Sequence, residues 1–271
     1  MSKYFNALYC IHLELTSRCN KDCWMCGRRK IDRDYPEIAM NYGDMDFNLV
    51  KKIAAQLPEG IVVQFHNNGE PLLYPRFKEV MKLFSKQIRC FDTNAKLIVE
   101  KADEIIGNLD TMTISVIEND PESDEQFELV KKFLKIKGVR KPHMIYRCLG
   151  DVNPQRWKKL DGIIATRVLH NPLGSFKYKK SPTVPEIGIC LEILNHMAIN
   201  RSGKVSICVR FDPKGLGVVG DVNVAPLIDI WNGSKRKEWI KHHLEGNRNK
   251  IPLCSFCDYW GVPTGMQERE F

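Results

Sequence analysis

The stretch CIHLELTSRCNKDCWMC, residues 10–26, decides how this chain is read. Residues 10–16 read as a strand, and the strand stops directly before Cys19, Cys23 and Cys26. Three thiolates this close together wrap one metal centre without the entropy of closing a long loop. A structural zinc site takes four protein ligands, whereas this loop supplies three, with His12 as a fourth in principle. A [4Fe–4S] cluster on three thiolates keeps one iron open to a small molecule. On spacing alone, iron–sulfur, zinc and redox or structural thiols all stay open.

Outward from that loop the chain alternates strand and helix patterns. Residues 45–57 carry Phe47, Val50, Ile53, Ala54 and Leu57 at helical spacing, and Pro58-Glu59-Gly60 ends them. Residues 61–66 read as a strand and 75–84 as a helix. Residues 88–92 read as a strand, about 97–106 as a helix and 111–117 as a strand. Ser123 with Gln126 fits a capping box for the helix lined by Phe127, Val130, Phe133 and Leu134. A strand over 143–148, a short helix near 154–160 and a strand over 165–169 complete the series. Short apolar strands separated by helices predict an α/β protein with a parallel sheet, flat or curved into a partial barrel. Ligands of such sheets gather beyond the strand ends, here at Thr16, Ser17, Arg18, the run from His66 to Glu70, Thr93, Asn94, Ser115, Arg147, His170 and Asn171.

From 171 to 188 the rhythm breaks into Pro, Gly, Lys and Ser, a linker. Strands over 193–199 and 205–209 then flank Asn200-Arg201-Ser202-Gly203, the best hairpin signal of the chain. Residues 226–231 and 235–244 read as helices. This tail is too small for a good core of its own, so a metal centre is expected to help hold it.

The chain has 271 residues, 43% hydrophobic and 27% charged, which argues against a disordered chain or a membrane bundle. No segment approaches the roughly 18 apolar residues of a membrane span, and the first nine residues do not read as a signal peptide. A cytoplasmic location is expected. The net charge of +8 is spread thinly; the longest basic cluster, Lys177-Tyr178-Lys179-Lys180, reads as a solvated loop, so a nucleic-acid partner is not expected. Ten cysteines are too many for a chain of this kind unless they bind metal. Cys10, Cys90 and Cys148 sit in apolar runs and read as core thiols. Cys190, Cys208, Cys254 and Cys257 join the first three as expected ligands.

The CxxxCxxC spacing after the first strand resembles the signature of the radical S-adenosylmethionine (AdoMet) enzymes. Asn68-Gly69-Glu70-Pro71 after the second strand resembles that family's Gly-Gly-Glu-Pro motif, which binds the AdoMet amino group. Thr93-Asn94-Ala95 after the third resembles its Thr-Asn-Gly. Ser115 resembles its ribose-contacting serine, and Arg147 is placed to meet the AdoMet carboxylate. Met25 stands where the family often has an aromatic residue near adenine, and Asn68 replaces a glycine. In the tail, Cys190, Gly203-x4-Cys208 and Cys254-x2-Cys257 resemble the Twitch domain, the short form of SPASM, which carries one auxiliary [4Fe–4S] cluster.

The resemblance implies a partial (β/α)6 TIM-like barrel over residues 1–170, a linker at 171–188, a Twitch domain of hairpin and helix at 189–258 and a tail at 259–271. It also implies two [4Fe–4S] clusters and AdoMet as cofactors, with an external one-electron donor such as flavodoxin or ferredoxin. With four cysteines the auxiliary cluster is fully ligated, which suits electron transfer. Length, spacing and cysteine count resemble members that oxidise a secondary alcohol of a small polar metabolite such as a sugar or cyclitol. His66, Arg147, His170 and Arg210 are the candidate polar partners of such a substrate. Cross-linking or epimerisation of a ribosomal peptide, radical chemistry on a nucleotide-linked substrate, and a non-enzymatic zinc-stabilised binding protein are the competing readings.

Overall fold

The computed structural model describes residues 4–39, 42–167, 169, 189–209, 212–255 and 257. Nine strands form one sheet: β1 (Cys10–Leu13), β2 (Val62–Gln64), β3 (Ile88–Thr93), β4 (Thr111–Ile117), β5 (His143–Leu149), β6 (Ile163–Arg167), β7 (His196–Ile199), β8 (Lys204–Ser206) and β9 (Val218–Asp221). Their order is β6-β5-β4-β3-β2-β1-β7-β8-β9. The first six run parallel, joined by crossovers, and β7 adds in parallel to the free side of β1. The helices are α1 (Gly27–Asp34), α2 (Pro36–Ala39), α3 (Phe47–Ala54), α4 (Phe77–Leu83), α5 (Ala102–Ile105), α6 (Ser123–Lys137), α7 (Leu191–Asn195), α8 (Leu227–Trp231), α9 (Ser234–Leu244) and α10 (Pro252–Ser255).

Strand periodicity separates two environments. On β1, Ile11 and Leu13 point to one face and are fully buried, together with Val63, Phe65, Phe91, Met112, Ile114 and Tyr146 of the neighbouring strands. Val50 and Ile53 of α3, Phe77, Val80 and Met81 of α4, and Val130 and Phe133 of α6 close over that face. The opposite face carries Cys10, Gln64, Asp92, Ser115, Arg147 and His196. Residues from seven successive strands therefore line one cavity of about 450 Å³, which defines the inside of a partial barrel.

Several elements differ from the sequence reading. Residues 97–101 form turns rather than helix: Ile98 and Ala102 donate to carbonyls three residues back while Lys101 donates to Leu97 four back. Near 154–160 only a 3-10 turn over Trp157–Lys159 forms. The capping box fails. Ser123 is the first helical residue, Glu122 is the cap without a side-chain bond, and Gln126 donates instead to the carbonyls of Asn94 and Ser115, both at 3.0 Å. Residues 193–195 are helical, because Ile193 turns inward against Ile207, Trp239 and Ile251.

The hairpin turn is present. Asn200 Oδ1 accepts from the backbone N–H of Ser202 and Lys204, and Gly203 supplies the left-handed φ of +89°. The tail shares the main core and adds a small cluster of its own around Ile193, Ile207, Trp239 and Ile251. Met197, Ile199, Val205, Val222, Leu227, Ile230 and Trp231 belong to the main core, so β7 and β8 extend the barrel's own sheet. The linker at 171–188, the lysine cluster within it and the tail at 259–271 lie outside the described residues. Among the described residues no helix is long and apolar enough to cross a membrane.

Candidate active site

The loop after β1 is fixed on three sides before any metal is considered. Ser17 exchanges bonds with Gly43, its N–H donating to the Gly43 carbonyl and its hydroxyl accepting the Gly43 N–H. Lys21, nearly buried, bonds Asp120 at 2.6 Å and Glu122 at 3.0 Å, and Trp24 Nε1 donates to the Glu118 carbonyl. The Arg28 guanidinium donates to the carbonyls of Cys19 and Lys21. Cys26 is the N-cap residue of α1.

The Cys23 thiol is pushed up to about 12 by burial and by the charges of its cysteine neighbours, which Lys21 opposes. Burial likewise raises Cys19, against the Arg28 charge. Protons leave such a loop when metal arrives.

The second and third motifs meet at Glu70. Its carboxylate, 2% exposed, accepts from Leu72 N–H at 3.3 Å, the Thr93 hydroxyl at 2.9 Å and Asn94 N–H at 2.9 Å. Burial raises it to about 7 against those three donors. Asn94 Nδ2 in turn donates to Cys19 Sγ at 3.8 Å and to Asn20 Oδ1 at 2.8 Å. A Cβ on Gly69 would stand 2.1 Å from the Thr16 carbonyl, so only glycine lets this loop lie against the cysteine loop. Met25, Asn68, Ser115 and Arg147 line the cavity with the three cysteines. Pro71 stands behind them, buried in the turn that Glu70 caps.

Deeper in the barrel lies a charged group that the sequence reading passed over. Asp92, 5% exposed, accepts from Gln64 Nε2 at 2.7 Å and from Arg147 Nη1, and His66 Nε2 is 3.8 Å away. Burial alone would raise Asp92, but the Arg147 guanidinium outweighs it and holds the carboxyl below its ordinary range. Burial lowers His66, against the Asp92 charge, and its Nδ1 has no hydrogen-bond partner. His170 and Arg210 lie outside the described residues.

In the C-terminal part Cys190 caps α7, Cys208 follows β8, and Cys254 and Cys257 bracket the end of α10. Cys190, Cys208 and Cys254 pack around Ile193, Ile207, Trp239 and Ile251, and Arg248 donates to the carbonyls of Cys254 and Cys257. Burial, then the charges of Cys257 and Cys190, pushes the Cys254 thiol up to about 12.

Two all-cysteine donor sets, one of three thiols and one of four, fit [4Fe–4S] clusters, the first leaving one iron open to a small molecule.

Residues 190–258 match the SPASM family, an iron–sulfur cluster-binding domain. The whole chain is similar to the S-adenosyl-L-methionine-dependent 2-deoxy-scyllo-inosamine dehydrogenase of Niallia circulans, 25% identical over 98% of each protein. In fold it resembles the crystal structure of BtrN in complex with AdoMet and 2-DOIA, with TM-score 0.63, 19% identity and coverage of 95% of this chain and 94% of that one. It also resembles SuiB of Streptococcus suis bound to the precursor peptide SuiA, with TM-score 0.62, 14% identity and coverage of 87% and 67%. A three-cysteine loop on a partial barrel, followed by a SPASM domain, defines a radical AdoMet enzyme with an auxiliary cluster. The matches and the site support that reading, with AdoMet and two [4Fe–4S] clusters as cofactors.

Proposed function

We propose that this enzyme oxidises a secondary alcohol of a cyclitol, sugar or similar small polar metabolite to a ketone. The carrying observation is the polar floor of the barrel, where Asp92 gathers Gln64, His66 and Arg147 below the cysteine loop. Such a set suits hydroxyl groups, while Met25, Ile117 and Leu149 supply apolar wall around it. The 25% relative named above as a dehydrogenase supports the same reading. When bound, AdoMet and the two clusters supply hydrogen-atom removal from the carbinol carbon and uptake of the remaining electron.

The chain's own work is positioning and proton handling. Cys19, Cys23 and Cys26 hold the first cluster; Cys190, Cys208, Cys254 and Cys257 hold the second. Glu70 receives the AdoMet ammonium, with Thr93, Asn94, Ser115 and the backbone at Gly69 around it. His66 takes the hydroxyl proton, and Asp92 at its ring steadies the imidazolium that results. Arg147 keeps Asp92 ionised for that role. One hydrogen atom, one proton and one electron leave the substrate, which balances a two-electron oxidation. In this reading residues 1–170 form the barrel, 171–188 the linker, 189–258 the auxiliary domain and 259–271 the tail. A flavodoxin or ferredoxin of the cytoplasm, where thiols stay reduced, supplies the starting electron.

The test is a turnover count with carbinol-deuterated cyclitols and sugars as the panel. Alcohol oxidation yields one 5′-deoxyadenosine per ketone, and that product carries the deuterium. Many products per AdoMet would instead establish an epimerisation or isomerisation. Activity confined to a peptide would move the reading to peptide modification.

A further inference from the structure

Besides its seven cysteine ligands the chain holds another set of metal-type donors, inside the barrel. Cys10 and His12 alternate on β1 and so point to one face. His196 opens β7 directly opposite Cys10 in the parallel ladder. One ligand atom from each of the three lies within 4.8 Å of the others, and the two imidazoles stand edge to face with centroids 5.6 Å apart. All three line the cavity that also holds Glu70 and Asp92.

Two further observations separate this group from ordinary packing. His12 Nδ1 is buried and has no hydrogen-bond partner, a state that buried polar atoms rarely keep. Glu192 of α7 places Oε2 3.2 Å from His196 Nδ1, which sets a carboxylate beside this imidazole, as is common around metal-binding histidines.

We propose that Cys10, His12 and His196 bind a divalent transition metal, with zinc as the expected occupant. One thiolate and two imidazoles are a borderline-soft set that suits zinc and gives no hold to magnesium or calcium. The Cys10 thiolate together with the Glu192 carboxylate balances the charge of a divalent ion. Three protein ligands are the count of an open site rather than a closed structural one, so the fourth position faces the cavity and takes an oxygen. That this oxygen is a substrate hydroxyl rests on the alcohol-oxidation reading; the metal site itself does not.

The experiment uses the full chain with both clusters reconstituted, zinc chloride added and excess removed by desalting. The expected result is about one zinc per chain above the cluster iron. Its X-ray absorption edge should show one sulfur at about 2.3 Å, with the other ligands at the nitrogen or oxygen distance of about 2.0–2.2 Å. Cys10→Ala and His12→Gln should each lose the zinc at unchanged iron content. If one of them also sheds iron, His196→Gln on the other strand replaces it, and the wild-type edge needs no variant. No zinc after desalting, an all-sulfur shell, or equal retention by iron-replete variants overturns the site. Zinc binding without alcohol turnover would overturn only the substrate reading.

Discussion

Asn94 Nδ2 donates to the sulfur of Cys19 across 3.8 Å, tying the end of β3 to the first cysteine of the metal loop. Hydrogen bonds to the sulfurs are one of the levers by which a protein sets a cluster's potential. They favour the reduced, more negative state. Asn94→Ala should therefore shift the first cluster to a more negative potential at unchanged iron content, read by a redox titration followed by electron paramagnetic resonance. An unshifted potential would show that Asn94 serves only Asn20 and Glu70.

Glu70 predicts a pH dependence. Its carboxyl is raised by burial to about 7, so in the folded chain ionisation is disfavoured. Its contribution to stability is fully present below the ordinary carboxyl range and falls as pH rises to about 7. A cation beside it favours the ionised form, so AdoMet affinity should rise between about pH 5.5 and about pH 7.5. Glu70→Gln should flatten that rise and weaken binding by roughly 1.5–3 kcal/mol, one to two decades. The amide also sets a donor against Asn94 N–H, so iron is measured on the calorimetry sample. Equal affinity for wild type and variant would remove Glu70 from the binding role.

Iron counting tests both cysteine sets. Anaerobic reconstitution should give about eight irons and eight sulfides per chain. Replacing Cys19, Cys23 and Cys26 together should leave about half, and replacing Cys254 and Cys257 should remove the other half. Loss of all iron from either variant would mean that the two sites assemble only together.

Gly69→Ala should damage the site without touching a ligand. Its Cβ would meet Thr16 and Arg18 backbone oxygens at 2.1 and 2.8 Å, and backbone cannot swing aside as a side chain does. The Glu70 N–H bond to the Arg18 carbonyl, 2.8 Å, lies in the path of any adjustment. A lower Tm and weaker AdoMet binding are expected together. Wild-type values for both would show that the two loops separate freely.

The shared core carries its own test. Ile199 of β7 is fully buried in the main core, so Ile199→Ala should cost about 2–5 kcal/mol. Denaturation should remain one transition by circular dichroism and by tryptophan fluorescence. Two separated transitions would mean that the C-terminal part folds apart.

Much of this was legible in residues 10–117. The strand at Thr111–Ile117 reads the same in sequence and structure because five of its seven residues are β-branched and leave no competing period. The cysteine loop stands out in the sequence by its spacing, and Glu70 by a run that resembles the Gly-Gly-Glu-Pro motif. Asp92 was not legible, since a lone carboxylate in Phe91-Asp92-Thr93 looks like a strand end. Its signal was alternation shared by three strands: Cys10 and His12, Gln64 and His66, Cys90 and Asp92 all fall at every second position. Cys10 reads as a core thiol and is buried, but only the ladder with β7 shows that His196 stands beside it. Residues 193–195 read as strand by composition, and burial of Ile193 among Ile207, Trp239 and Ile251 overrode that preference.

The ladder between β1 and β7 also fixes a length. The Cys19 loop leaves one end of β1, and β7 and β8 lead within two residues of Cys208 through hydrogen-bonded neighbours. Strand spacing in a sheet is about 4.8 Å and does not stretch. The offset of Cys208 from the Cys19 loop across the sheet is therefore set by backbone geometry, as in a ruler. In the proposed alcohol oxidation the second cluster would keep that place whichever substrate enters, while the electron's path from the substrate would vary with how the substrate lies.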